Sequence, residues 1–175
     1  GDLVFHTGDA TSAGSISASA GSSMLESGAT IDLVGGAALL EGSTGGGVNA
    51  HAGLGQLGGG KISLEAGDSV ATGPEATGGA IKIAGGNSFG TGGSVGIISG
   101  SGSNGTSGDI SLLSADGTAS GGSGHVSISS GTAILGGTGD VSISTGSSIV
   151  DSPGHILMAP GAASQTAGGV VSISG

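Results

Sequence analysis

The 175-residue chain carries 12 acidic side chains and two basic ones, a net charge of −10, with no cysteine, 44 glycines and two phenylalanines as its only aromatics. That balance leaves nothing to drive nucleic-acid binding by counterion release, disfavours an anionic membrane surface, and excludes a disulfide framework or thiolate metal site. Gly and Pro fill about a quarter of the chain, a level that signals disorder unless a period is present.

A period is present. The unit reads Gly, any residue, apolar, any, apolar, any, any, Gly, as in Gly124 to Gly131 and Gly139 to Gly146. In chain order its first apolar residue is Leu3, Ile16, Ile31, Val48, Ile62, Ile81, Val95, Ile110, Val126, Val141, Ile156 and Val171, a period of about 15. Two residues before that position Gly stands in eleven of twelve units, with Ala29 the exception. Five residues after it Gly stands in ten of eleven, with Ala115 the exception.

Between the glycines the alternation of Val141, Ser142, Ile143 and Ser144 has period two, which sends apolar and polar side chains to opposite faces of a short strand. Glycine at fixed offsets predicts backbone corners that need positive φ or close approach. A weaker apolar position eight or nine residues after the first, at Met24 and Leu25, Leu39 and Leu40, Val70, Phe89, Ile134 and Leu135, and Ile149 and Val150, predicts a second wall. The expected fold is therefore all-β: a parallel β-solenoid, or β-helix, of roughly twelve coils and about 15 residues per coil. It would have a thin Val/Ile/Leu/Ala core, Gly corners and a rod length of about 55 Å at the parallel-strand spacing. The longer intervals, 31 to 48 and 62 to 81, place their extra residues in the return segments, Gly42 to Gly47 and Thr72 to Gly79.

The array runs through residues 1–175 without a linker. The chain begins with Gly, has no signal-peptide pattern, and puts core-type residues in its first and last units without a polar cap, so it is expected to be an internal segment of a longer protein that continues or associates end to end. No apolar run reaches the roughly 20 residues of a membrane-spanning helix.

Several chemical motifs match only in letters. Gly53 to Gly58 has the spacing of a dinucleotide fingerprint, and the glycines before Lys61 resemble a phosphate loop, but Ile62 stands where Ser or Thr should hold magnesium. Gly86 to Gly90 and Gly92 to Gly96 fit a hydrolase nucleophile elbow without the strand-to-helix context it needs. Gly136 to Val141 approaches a calcium-binding nonapeptide, with Asp140 one residue early. No catalytic residue, cofactor site or metal site is expected, and the chain is not expected to be an enzyme.

The residue before the first apolar position reads Asp109, His125, Asp140 and His155 over four successive units, candidates for a structural ladder of opposite partners. His6 and His51, three residues after that position, are expected to face water. Asn104, Gly105 and Thr106 form an N-glycosylation sequon on a return segment.

With units such as Gly124 to Gly131, the whole chain resembles the Gly/Ser-rich β-solenoid repeat proteins of extracellular filaments, which include algal and protist appendage or flagellar-hair proteins and the repeats of phage tail fibres. The resemblance implies a structural, non-catalytic rod or shaft segment of an extracellular filament, appendage or adhesive fibre, located outside the cell or on a cell or virion surface. Its implied partners are identical neighbouring coils or chains, end to end or side by side, and it brings no catalytic residues with it. The alternative is an ice- or polysaccharide-binding β-solenoid, but the outward positions carry Ser17 and Ser19, Asp32 and Val34, Asn49 and His51, Ser63 and Glu65, and Lys82 and Ala84 rather than ranks of Thr.

Overall fold

A computed structural model describes the chain apart from residues 10, 12, 26, 74, 118–120, 165 and 175. Two compact units divide it, Gly1–Ser94 and Val95–Gly175. Both carry the same repeat, and in both the organising contact is local. In the first unit the backbone N–H of Ala29 donates to Gly21 O at 3.2 Å, Gly46 to Gly36 at 2.8 Å, Gly60 to Gly53 at 2.9 Å, Gly79 to Gly67 at 2.9 Å and Gly93 to Gly86 at 2.8 Å. In the second, Gly108 donates to Gly100 at 2.9 Å and Gly169 to Gly161 at 2.8 Å. Each of these bonds joins the last glycine of one repeat to the first residue of the next. The two glycine columns therefore meet each other across seven of the eleven return segments.

This overturns the parallel β-solenoid. In a coil with one strand per unit, the start of each strand lies beside the start of the strand before it. The leading residue of one unit would then sit about 23 Å from the trailing glycine of the previous one, seven residues at roughly 3.3 Å each. The donor and acceptor atoms are instead 2.8 to 3.2 Å apart. The return segment doubles back and closes on its own base, so consecutive repeats meet end to start and not side by side. Among the described residues there is no strand, helix or sheet.

No core forms, and this is the second departure from expectation. No described residue is buried, and the chain exposes 17175 Å². A folded monomer of this mass would expose about 7,300 Å² and its extended chain about 22,800 Å². The chain thus removes only about a quarter of its extended surface, where a folded domain removes about two thirds. The covering that does occur follows the repeat. From the second unit onward the first apolar position is 46 to 62% exposed, while the proposed second wall, from Met24 and Leu25 to Ile149 and Val150, is 83 to 111% exposed. Those residues stand out on the return segments and form no wall.

Period-two alternation survives locally. The Ser63 hydroxyl donates to Glu65 Oε1 at 2.7 Å, which places these alternate residues on one side of the segment, with Leu64 between them.

The amides of Gly46, Gly60, Gly79, Gly93, Gly108 and Gly169 are expected to exchange with deuterium about five-fold more slowly than the exposed amides of the return segments, because one net hydrogen bond is worth about 1 kcal/mol. Residue-resolved hydrogen exchange checks this, and uniform exchange along the chain would contradict the closed returns.

Candidate functional site: the closure between repeats

The recurring feature of the chain is the closure itself, which has three parts. The donor is the leading glycine. The acceptor is the trailing glycine, and a small residue precedes it, at Thr7, Ala20, Gly35, Ala52, Ala66, Gly85, Ser99, Ser114, Ser130, Thr145 and Pro160. Six described residues are half-buried, namely Thr7, Gly35, Ala66, Ala76, Ser99 and Ser114, and five of them belong to this column. Small size at that position is the signal that pattern reasoning on the apolar and glycine columns passes over.

The geometry explains the size restriction. A Cβ placed on Gly60 would meet Ala52 Cβ and Gly53 N, each at 3.2 Å, and one on Gly79 would meet Ala66 Cβ and Gly67 N at the same 3.2 Å. On Gly93 it would come within 2.9 Å of Gly86 N. Where the small residue is itself glycine the approach is closer still, since a Cβ on Gly85 would run into the Gly93 carbonyl oxygen. At Gly46, Gly60, Gly79, Gly93 and Gly169 the leading residue is glycine because backbone passes there. Ala29, the column's one alanine, makes the longest of the seven bonds, 3.2 Å against 2.8 to 2.9 Å elsewhere.

The trailing column has a different explanation, and the expectation of strained corners fails there. A Cβ on Gly8, Gly21, Gly36, Gly53, Gly67, Gly86, Gly100, Gly131, Gly146 or Gly161 would meet nothing within 4 Å. Among the described residues the one glycine with positive φ is Gly42, at 79°, inside a return segment and outside both columns. Of the four junctions without the bond, three keep a looser side-chain contact, Gly14 against Thr7, Gly124 against Ser114 and Gly154 against Thr145 with Cβ contacts of 3.4 to 3.6 Å, while a Cβ on Gly139 would meet nothing within 4 Å. At the first of these the Thr7 hydroxyl donates to Gly14 O at 3.2 Å, a side-chain bond of opposite sense in which the leading glycine accepts.

The sequence-predicted residues do not gather into a centre. Asp109, His125, Asp140 and His155 are all exposed, and none makes a hydrogen bond or ion pair with a described residue. His6 and His51 are exposed, with His6 Nδ1 3.4 Å from the neighbouring Thr7 O. No group of three or more His, Asp or Glu among the described residues is placed to hold a metal ion. The dinucleotide look-alike is a closed return between Gly53 and Gly60, and its hollow of about 470 Å³ is lined by Leu54, Gly55 and Gln56 alone. A ligand there would remain open to water, unlike the enclosing pockets that bind small molecules. In the elbow look-alike the Ser88 hydroxyl accepts the Gly90 N–H at 3.1 Å within the return. No helix begins at either motif, and no helix among the described residues is long and apolar enough to cross a membrane.

No protein-family model, curated protein or solved structure matches the chain.

The two glycine columns are expected to respond differently to alanine. Gly60→Ala or Gly93→Ala crowds the backbone and should abolish the slowed exchange of its own amide, whereas Gly53→Ala or Gly86→Ala enters open space and should leave the slowed exchange of Gly60 or Gly93 within two-fold. Equal effects in both columns would refute the crowding explanation.

Proposed function

We propose that the chain is a structural, non-catalytic segment of an extracellular filament, appendage or adhesive fibre, and that its partners are further copies of the same repeat, in its own longer chain or in neighbouring chains. The observation that carries this reading is the exposed surface of 17175 Å², far above the roughly 7,300 Å² of a folded monomer of this mass. The apolar positions recur in register along both units yet stay 46% exposed or more. One repeat cannot bury such positions alone, and covering them is what neighbouring copies do in repeat assemblies. A stable interface needs about 1,200 to 2,000 Å², a fraction of what the chain leaves open. The spacing of the apolar positions is uneven, so another copy is the surface that presents the same intervals.

The non-catalytic part of the reading is supported by the exposure of the His and Asp columns, since catalytic acid–base groups work when held and desolvated by partners. Placement outside the cell or on its surface follows the resemblance of the repeat to filament proteins. The excess of acidic groups disfavours nucleic acid as a partner.

Sedimentation over a range of concentrations tests the assembly. Larger species should grow with concentration, and more so as salt rises, because screening weakens the repulsion between chains of net charge −10. A monomer that persists at high micromolar concentration and high salt would refute self-association.

A further inference from the structure

We infer that Asn104 is an acceptor for an N-linked glycan, carried at the tip of the return segment between Gly100 and Gly108. The chain has three asparagines, Asn49, Asn87 and Asn104, and only Asn104 is followed by the required hydroxyl residue two positions on, Thr106, with Gly105 and not proline between them.

The structure presents this sequon as a transferase needs it. The base of the segment is fixed by the Gly108 N–H donating to Gly100 O at 2.9 Å. Its two arms pinch together behind the tip, where a Cβ on Gly102 would meet Thr106 O at 2.5 Å and Gly105 O at 2.9 Å. Ser103, Asn104 and Gly105 bend at the apex and are exposed, and a Cβ on Gly105 would meet nothing within 4 Å. The Asn104 side chain makes no hydrogen bond with a described residue, so its amide is free to enter an active site. The other closed returns carry apolar or alanine side chains, whereas residues 101–107 are only Ser, Gly, Asn and Thr, and a glycan there covers no apolar position used for association.

The donor is a lipid-pyrophosphate-linked oligosaccharide. The Asn104 amide nitrogen attacks the anomeric carbon, the bond from that carbon to the pyrophosphate oxygen breaks, the lipid pyrophosphate leaves with the electron pair, and one amide proton passes to solvent. No redox change is involved.

The inference rests on the extracellular reading, but its test does not depend on assembly. The full chain, placed behind a cleavable leader for the endoplasmic reticulum, is translated with microsomes, and protease protection reports which molecules have entered. Protected wild-type chain should gain the mass of one glycan, removed by an asparagine-specific glycosidase with ¹⁸O from labelled water appearing at position 104. Asn104→Gln and Thr106→Ala should abolish the gain, and Thr106→Ser should retain part of it. Protected chain without the glycosidase-sensitive mass, or a mass that persists in N104Q, would overturn the inference. Either result would leave the sedimentation test of self-association standing.

Discussion

Backbone donates to backbone across seven of the eleven return segments, among the described residues, and the rest of the structure depends on that bond. It forms shortest with a bare Cα on the leading residue, lengthening to 3.2 Å at Ala29, and with a small side chain before the trailing glycine. Once formed, it fixes where one repeat ends and the next begins. The length of chain between the two ends varies widely: the bond spans seven residues at Gly53 to Gly60 and Gly86 to Gly93, ten at Gly36 to Gly46 and 12 at Gly67 to Gly79. Closing a loop of 12 residues instead of seven costs only about 0.5 kcal/mol more by the logarithmic closure law, less than the roughly 1 kcal/mol one hydrogen bond returns. Where glycine leads, the donor–acceptor distance accordingly stays at 2.8 to 2.9 Å across the whole range. Uneven spacing between repeats is thus compatible with an unvarying junction.

Much of this was legible in the sequence, and the part that was not has a definite physical origin. The period, both glycine columns and the location of the extra residues in the returns can be read from Gly53, Gly60, Gly67 and Gly79 alone. What a period leaves open is which column packs against which. A stacked coil sets each glycine beside its own counterpart one unit on, and a closed return sets Gly60 beside Gly53; both arrangements ask for glycine at the same offsets. The discriminating signal was the third column. In a coil wall the residue before the trailing glycine has no reason to be small, yet Ala52, Ala66, Gly85 and Ser99 all are, and the closure requires it because that residue faces the leading glycine.

The charged columns fared differently because their interpretation depended on the topology and not on the period. Asp109, His125, Asp140 and His155 can neighbour one another only if successive units lie side by side. With consecutive units joined end to start, a residue just inside the leading glycine is separated from its counterpart by a full repeat of chain, and each of the four is left in solvent without a partner. Asn104 needed no such neighbour. A sequon is read locally, so its meaning survives the change of fold.

The closure also accounts for where apolar surface remains. A hydrogen-bonded base holds a return together without help from its tip, so Leu54, Leu57 and Phe89 are free to project, at 105, 103 and 111% exposure. The segments between returns behave differently, because Val141 and Ile156 are about half covered by their own chain, at 50 and 51%. Hydrophobic free energy scales with the area removed from water, at about 25 cal/mol per Å². Each unit therefore holds most of its available stabilisation in reserve, to be realised only when further surface arrives. A repeat that settled its junctions by backbone bonds and buried its apolar residues internally would gain little from company. This one settles only the junctions, and its Val, Ile and Leu columns stay in contact with water.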